Sequence, residues 1–87
     1  MSAPRRKPAV VHEIGAETVL CKVEGGRLLV LNEVGGAVWH LIDGHRSVEE
    51  IAALVVESLP ADPVRVRRDV TAFLDALAEH DLVEWTE

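Results

Sequence analysis

"LNEVGGAVWHLIDGHRSVEEIAAL", residues 31–54, is the stretch that decides the fold. Four apolar residues, Leu28, Leu29, Val30 and Leu31, run straight into Asn32. Asn is a strong helix N-cap, because its side-chain oxygen accepts from the orphan N–H groups of the first turn. A helix over 33–43 follows, with Val34, Ala37, Val38, Leu41 and Ile42 on one face. Gly35 and Gly36 inside it cost about 1 kcal/mol each against Ala, and close backbone packing against a neighbour is the reason expected for them. Gly44 is expected to end the helix in the left-handed conformation. Ser47-Val48-Glu49-Glu50 is then a capping box, with Ser47 as cap and Glu50 reaching back. It opens a second helix to about residue 59 that buries Val48, Ile51, Ala52 and Val55.

Upstream, residues 9–14 and 17–23 alternate as strands. Val19, Cys21 and Val23 point one way, and Thr18, Leu20 and Lys22 the other. Glu24-Gly25-Gly26 closes a hairpin into a third strand, 27–31. Its unbroken apolar run predicts that both of its faces are at least partly covered. Downstream, Pro60 breaks the second helix, and Asp62-Pro63 opens a third with Asp as cap and Pro at the first helical position. Its stripe is Val66, Val70, Phe73, Leu74 and Leu77, and it ends near residues 80–81. Residues 82–85 are a short extended tail expected to pack back on the body. Three strands followed by three helices make an α+β fold with an antiparallel meander.

Eighty-seven residues allow one core and one domain, placed at 9–87. Residues 1–8, with Arg5-Arg6-Lys7 between prolines, read as a flexible basic tail. The single cysteine, Cys21, excludes an internal disulfide and reads as a small core residue. No apolar run reaches the length of a membrane span and no signal-type stretch follows the tail, so a cytoplasmic protein without membrane contact is expected. A formal net charge of −6 repels phosphate backbones and argues against nucleic acid.

Chemistry is hard to find. His12, His40, His45 and His80 lack zinc-motif spacing from one another or from Cys21. There is no P-loop and no dinucleotide fingerprint, and no serine–histidine–acid order has supporting motifs. No catalytic residue, metal or cofactor is assigned. Trp39 stands either at the edge of the core or in a pocket, and Trp85 is expected to dock on the domain. In a meander the third strand is an edge, and an apolar edge beside a helix is a place where an extended peptide adds as a fourth strand.

The ordered set "LLVLNEVGGAVWHLIDGHRSVEEIAALV" and "DVTAFLDALAEHDLV" (28–55 and 69–83) resembles the PqqD family of peptide chaperones, also called RiPP recognition elements. Val34 departs from a common Thr, and Asp81 from a common Gly at the end of the last helix. The resemblance implies a winged-helix-like fold and a groove for the leader of a ribosomally made precursor peptide. One wall would be Arg27, Leu28, Leu29, Val30 and Leu31; the other would be Arg65, Val66, Arg68, Asp69, Val70, Phe73 and Leu77. Periodicity leaves open which flank of the last helix faces the peptide. The flank of Arg65, Asp69, Ala72 and Ala76 has small residues that leave room for a strand; the other carries Arg67, Thr71 and Leu74. The implied partners are the precursor peptide and a modifying enzyme, such as a radical SAM protein or a leader peptidase, with the module a monomer or weak homodimer. Two alternatives stay open: a winged helix-turn-helix DNA binder and a small dimerisation domain.

Overall fold

The computed structural model describes residues 3–86. Its elements are β1 (Ala3–Arg6), β2 (Ala9–Ile14), β3 (Glu17–Lys22), β4 (Leu28–Leu31), α1 (Glu33–Leu41), α2 (Val48–Ser58), α3 (Pro63–Glu79) and β5 (Val83–Thr86). β2, β3 and β4 form the antiparallel meander in sequential order, so both β2 and β4 are edges. The third strand expected from the sequence is β4, and the fold is α+β as expected.

The caps form as the sequence implies. Asn32 accepts from the Gly35 N–H at 3.0 Å. Ser47 and Glu50 make both halves of the capping box, at 3.2 and 3.0 Å. Asp62 caps α3 through the Val64 N–H at 3.1 Å. The core is one cluster in which Leu20 and Leu31 of the sheet meet Val38, Trp39, Ile51, Val55, Val66, Val70, Leu74 and Leu77 of the helices.

The two helical glycines have the physical reason anticipated. A Cβ on Gly36 would lie 2.5 Å from Thr18 Oγ1, and one on Gly35 would lie 2.8 Å from Phe73 Cε1 and 3.0 Å from Leu31 Cβ. Glycine therefore lets α1 lie directly on β3 and lets Phe73 of α3 come down over the end of β4.

Five expectations need correction. Residues 3–6 of the supposed flexible tail are a strand: β1 pairs antiparallel with β5, Ala3 and Pro4 are buried, and residues 1 and 2 lie outside the described residues. The ties that hold it are distant in sequence. The Gly44 N–H donates to the Pro4 carbonyl at 2.9 Å, the Lys7 N–H to that of Leu82 at 2.8 Å, and the Thr86 hydroxyl to that of Ala3 at 3.0 Å. Gly44 has the positive φ expected (+82°) but lies two residues beyond the helix cap, Ile42, in the turn that meets β1. The run of β4 does not signal two covered faces: the helices lie against Leu29 and Leu31, while Leu28 and Val30 point outward and are exposed. Trp39 is buried at the core beneath the Arg6 guanidinium, 5.7 Å from the ring centre, whereas Trp85, expected to dock on the domain, is 44% exposed. Cys21 is half-buried on the outward side of β3 rather than in the core.

Candidate functional site

The register of the meander fixes what β4 offers. Its pairs are Cys21–Leu28, Leu20–Leu29, Val19–Val30 and Thr18–Leu31. One step before the strand, the Lys22 N–H donates to the Arg27 carbonyl at 3.0 Å. Antiparallel pairs alternate between hydrogen-bonded and non-bonded, so residues 27, 29 and 31 turn their backbone groups toward β3. Leu28 and Val30 turn theirs the other way, to the free edge. Their side chains emerge on the outer face and are 66% and 55% exposed, against 1% for Leu31 on the inner face.

α3 lies beside this edge but packs chiefly on α1, α2 and β5, while β4 packs on β3 and α1. Phe73, half-buried, sits over Gly35 and Leu31 and marks the side of α3 that faces β4. Arg67 marks the opposite flank, since its guanidinium reaches Glu49 of α2 at 3.2 Å. Helical spacing then puts Asp69, Ala72 and Ala76 on the β4 side with Phe73, and Arg65 one turn earlier. Asp69 and Ala76 are half-buried, and Arg65 and Ala72 are exposed.

The expected site residues thus separate. Leu31 and Phe73 meet at Gly35, residues 28–31 form the free edge strand, and helical spacing puts Arg65 and Asp69 on the same flank of α3 as Phe73. Val66, Val70 and Leu77 are fully buried core residues that face α1 and α2. Arg68 is exposed one turn before Ala72, and Arg27 lies one step before β4, exposed and paired by its carbonyl to Lys22. Ala72 and Ala76, the small residues of the flank expected to leave room for a strand, share that flank with Phe73, whereas Gly35 is absent from the expected walls. Spacing from Phe73 finds the two alanines, while Gly35 is seen only once α3 is placed.

A cluster of charges gathers where the end of α3 meets Lys22 of β3 and the segment after β1. α3 finishes in a Schellman motif, with the Leu82 N–H donating to the Leu77 carbonyl at 2.8 Å and the Asp81 N–H to that of Ala78 at 3.0 Å. Asp81 holds the left-handed position at φ +57°, where glycine is usual. Its carboxylate bridges Lys22 of β3 and Lys7, each at 2.6 Å. The hydrogen bonds from Lys22 and then Lys7 pull the Asp81 carboxyl down to about 2. Beside this clasp Arg5 pairs with Glu84, which lowers that carboxyl too. Elsewhere His40 Nε2 lies 2.8 Å from Glu13, a surface pair with no third metal-ligating group beside it among the described residues.

A profile of the family described as coenzyme PQQ synthesis protein D (PqqD) matches residues 17–83. The chain belongs to the PqqD family. Three solved structures share the fold of this PqqD-family chain. One, described as TbiB1 in complex with the TbiA(beta) leader peptide, is 31% identical, with a TM-score of 0.76 over 92% of this chain and 94% of that one. The PqqD truncation of Methylobacterium extorquens PqqCD, described as a functional and stand-alone RiPP recognition element, is 27% identical, with a TM-score of 0.71 over 93% and 87%. A lasso peptide synthetase B1 complexed with its leader peptide, 18% identical with a TM-score of 0.75 over 93% and 96%, agrees in fold. No curated protein sequence matches closely enough to count as a relative. The family match begins at β3 and takes in β4 and all of α3.

Proposed function

We propose that this PqqD-family chain is a non-catalytic module that captures the leader segment of a ribosomally made precursor peptide and presents it to a modifying enzyme. The observation that carries the proposal is the free edge of β4, where the N–H and C=O groups of Leu28 and Val30 turn away from β3; the flank of α3 that carries Asp69, Phe73 and Ala76 is the wall proposed beside it. An extended peptide satisfies those groups by adding as a fourth strand. Each backbone bond contributes about 1 kcal/mol net, so the edge alone gives weak binding and the side-chain contacts along α3 must supply the rest. Arg65 and Asp69 offer one charge of each sign at the cleft, suited to a leader with acidic and basic residues in its strand. The leader-bound neighbour at 31% identity and the stand-alone recognition element at 27% support the same use. The receiving enzyme is of the radical SAM or leader-peptidase kind.

A DNA-binding role is disfavoured by the charges of α2, whose exposed side carries Glu49, Glu50 and Glu57 and no cation.

The test is a fluorescence-polarisation titration with leader peptides encoded beside this gene, on the native chain and on Val30→Pro. Proline removes an N–H that faces the free edge, and edge strands tolerate it. Saturable binding at about micromolar Kd or tighter is expected, falling roughly tenfold in the variant while its circular dichroism is unchanged. Equal affinity in a folded Val30→Pro protein sinks strand addition at β4.

A further inference from the structure

β4 is one free edge of the meander, and β2 is the other. The Lys22 N–H donates to the Arg27 carbonyl, so residues 18, 20 and 22 of β3 turn their backbone groups toward β4, and residues 17, 19 and 21 turn theirs toward β2. The partners of the latter, Ile14, His12 and Val10, are thereby bonded to β3. Ala9, Val11 and Glu13 turn their N–H and C=O groups to the free edge. Val11 and Glu13 lie opposite Leu20 and Thr18, so their side chains stand on the helix side of the sheet, and both are exposed there.

The two ends of this edge differ in charge. At the start of β2, Arg6, Lys7, Pro8, Ala9, Val11 and Trp39 line a cleft of about 320 Å³. Lys7 is engaged by Asp81, but the Arg6 guanidinium meets no carboxylate among the described residues and lies over Trp39. At the other end stands Glu13, beside His40, with its side chain 65% exposed.

We infer that a second copy of this chain pairs with the first through β2, antiparallel about a two-fold axis at Val11, and that Glu13 of each copy reaches the Arg6 cleft of the other. The pairing is independent of leader capture. Only this register uses the whole edge. With Val11 opposite its own copy, Ala9 lies opposite Glu13, and every outward backbone group of the three residues meets a partner. Centring on Val10 or His12 instead leaves Glu13 or Ala9 opposite a residue outside β2. Residues directly opposite point to the same side of a sheet, so the Glu13 carboxylate comes down beside Ala9 of the other copy, at the wall of the cleft that Arg6 lines. The symmetry makes this contact twice. The two Glu13 residues stay about 13 Å apart along the strands, beyond the roughly 8 Å screening length of physiological salt.

Each copy carries a net charge of −6, so association depends on this local match and is weak. The two meanders join into one sheet with β4 at both outer ends. A dimer therefore leaves both β4 edges open, facing apart.

The experiment is sedimentation equilibrium on the full chain, on Glu13→Arg, on Arg6→Glu and on an equimolar mixture of the two variants. The native chain is expected to dimerise with a Kd of about 10–100 μM. Each reversal alone brings like charges together at both contacts and should weaken association at least about tenfold. In the mixed pair the two reversed side chains meet each other and the two native ones meet each other. The mixture should therefore regain a Kd within about threefold of the native value. Val11→Pro removes an N–H at the axis and should abolish the dimer; it carries the test if Arg6→Glu unfolds. A native chain that stays monomeric at about 1 mM overturns the inference, as do single reversals that associate like the native chain or a mixture of folded variants that stays monomeric. A dimer lost in Val30→Pro but kept in Val11→Pro overturns it too, because the contact then lies at β4. No leader is present, so the result stands apart from the capture proposal.

Discussion

The β1–β5 sheet is tied down by the chain's own groups, whereas the β2–β3–β4 sheet beside it keeps two free edges and one bare face. Pro4 and Ala3 accept hydrogen bonds from Gly44 and Thr86, and Arg5 and Lys7 are paired with Glu84 and Asp81. A two-stranded ribbon is marginal on its own and needs those ties. The three-stranded sheet needs fewer, because Thr18, Leu20 and Leu31 anchor it to the core. A rigidly backed sheet can leave an edge open without losing its register.

The sharpest test of that backing lies within one strand. Leu31→Ala empties a fully enclosed site and is expected to cost about 2–5 kcal/mol in urea unfolding. Leu28→Ala, three residues earlier on the same strand, removes an exposed side chain and should stay within about 0.5 kcal/mol. A large loss at Leu28 would mean that the outer face is covered and would collapse the contrast between the two sheets.

The ties on the smaller sheet predict the next effect. Deleting residues 1–7 leaves β5 without its partner and exposes the surface that Ala3 and Pro4 cover. A loss of about 2–4 kcal/mol is expected, on the scale of several backbone hydrogen bonds at about 1 kcal/mol each. Leader affinity of the protein that remains folded should not change, since β1 does not touch the β4 cleft. A parallel fall in affinity would show that the two sheets are coupled.

Close approach of α1 to the larger sheet gives a smaller effect. Gly36→Ala puts a methyl group against Thr18 Oγ1 and should cost about 1–3 kcal/mol of overpacking, offset in part by the better helix propensity of Ala. Combining it with Thr18→Ala should recover part of the loss, so a double-mutant cycle with favourable coupling is the check.

The same contrast separates what the sequence makes legible from what it hides. The meander, the caps and the three helices are local: Asn32, Ser47 and Asp62 each act within three residues, and the apolar spacings repeat within a turn or two. β1 pairs with β5 across almost the whole chain, and nothing in "APRR" or "VEWT" specifies that partner, so a tail was the natural expectation. Of the proposed peptide site, the edge strand β4 is legible because its apolar run abuts a helix cap. The helical wall was harder, because a stripe does not say which of its members are buried and which sit on the rim. Val66, Val70 and Leu77 fell on the wrong side of that line. Phe73 resolves the orientation only through its contact with Gly35, a contact made in three dimensions.

The charged clasp at Asp81 joins Lys22 of the larger sheet to Lys7 beside β1 and responds to pH. Its carboxyl lies at about 2, below the ordinary value of 3.8, because Lys22 and Lys7 favour the charged form. A depressed folded-state pKa contributes stability that is fully present above the ordinary value and is lost as pH falls toward about 2. Asp81→Asn removes that contribution while keeping a residue that tolerates the left-handed backbone. The group is well exposed, so the loss at neutral pH should be small and should shrink further in high salt. Thermal melts at pH 7 should place Asp81→Asn slightly below the native chain, and at pH 2 the two should converge. Asp81→Gly tests the backbone separately: it also breaks the clasp but relieves the left-handed strain, so it should melt above Asp81→Asn. If the Asn variant stays equally far below the native chain at both pH values, the Asp81 side chain matters for its shape rather than its charge, and the link between the sheets is not electrostatic.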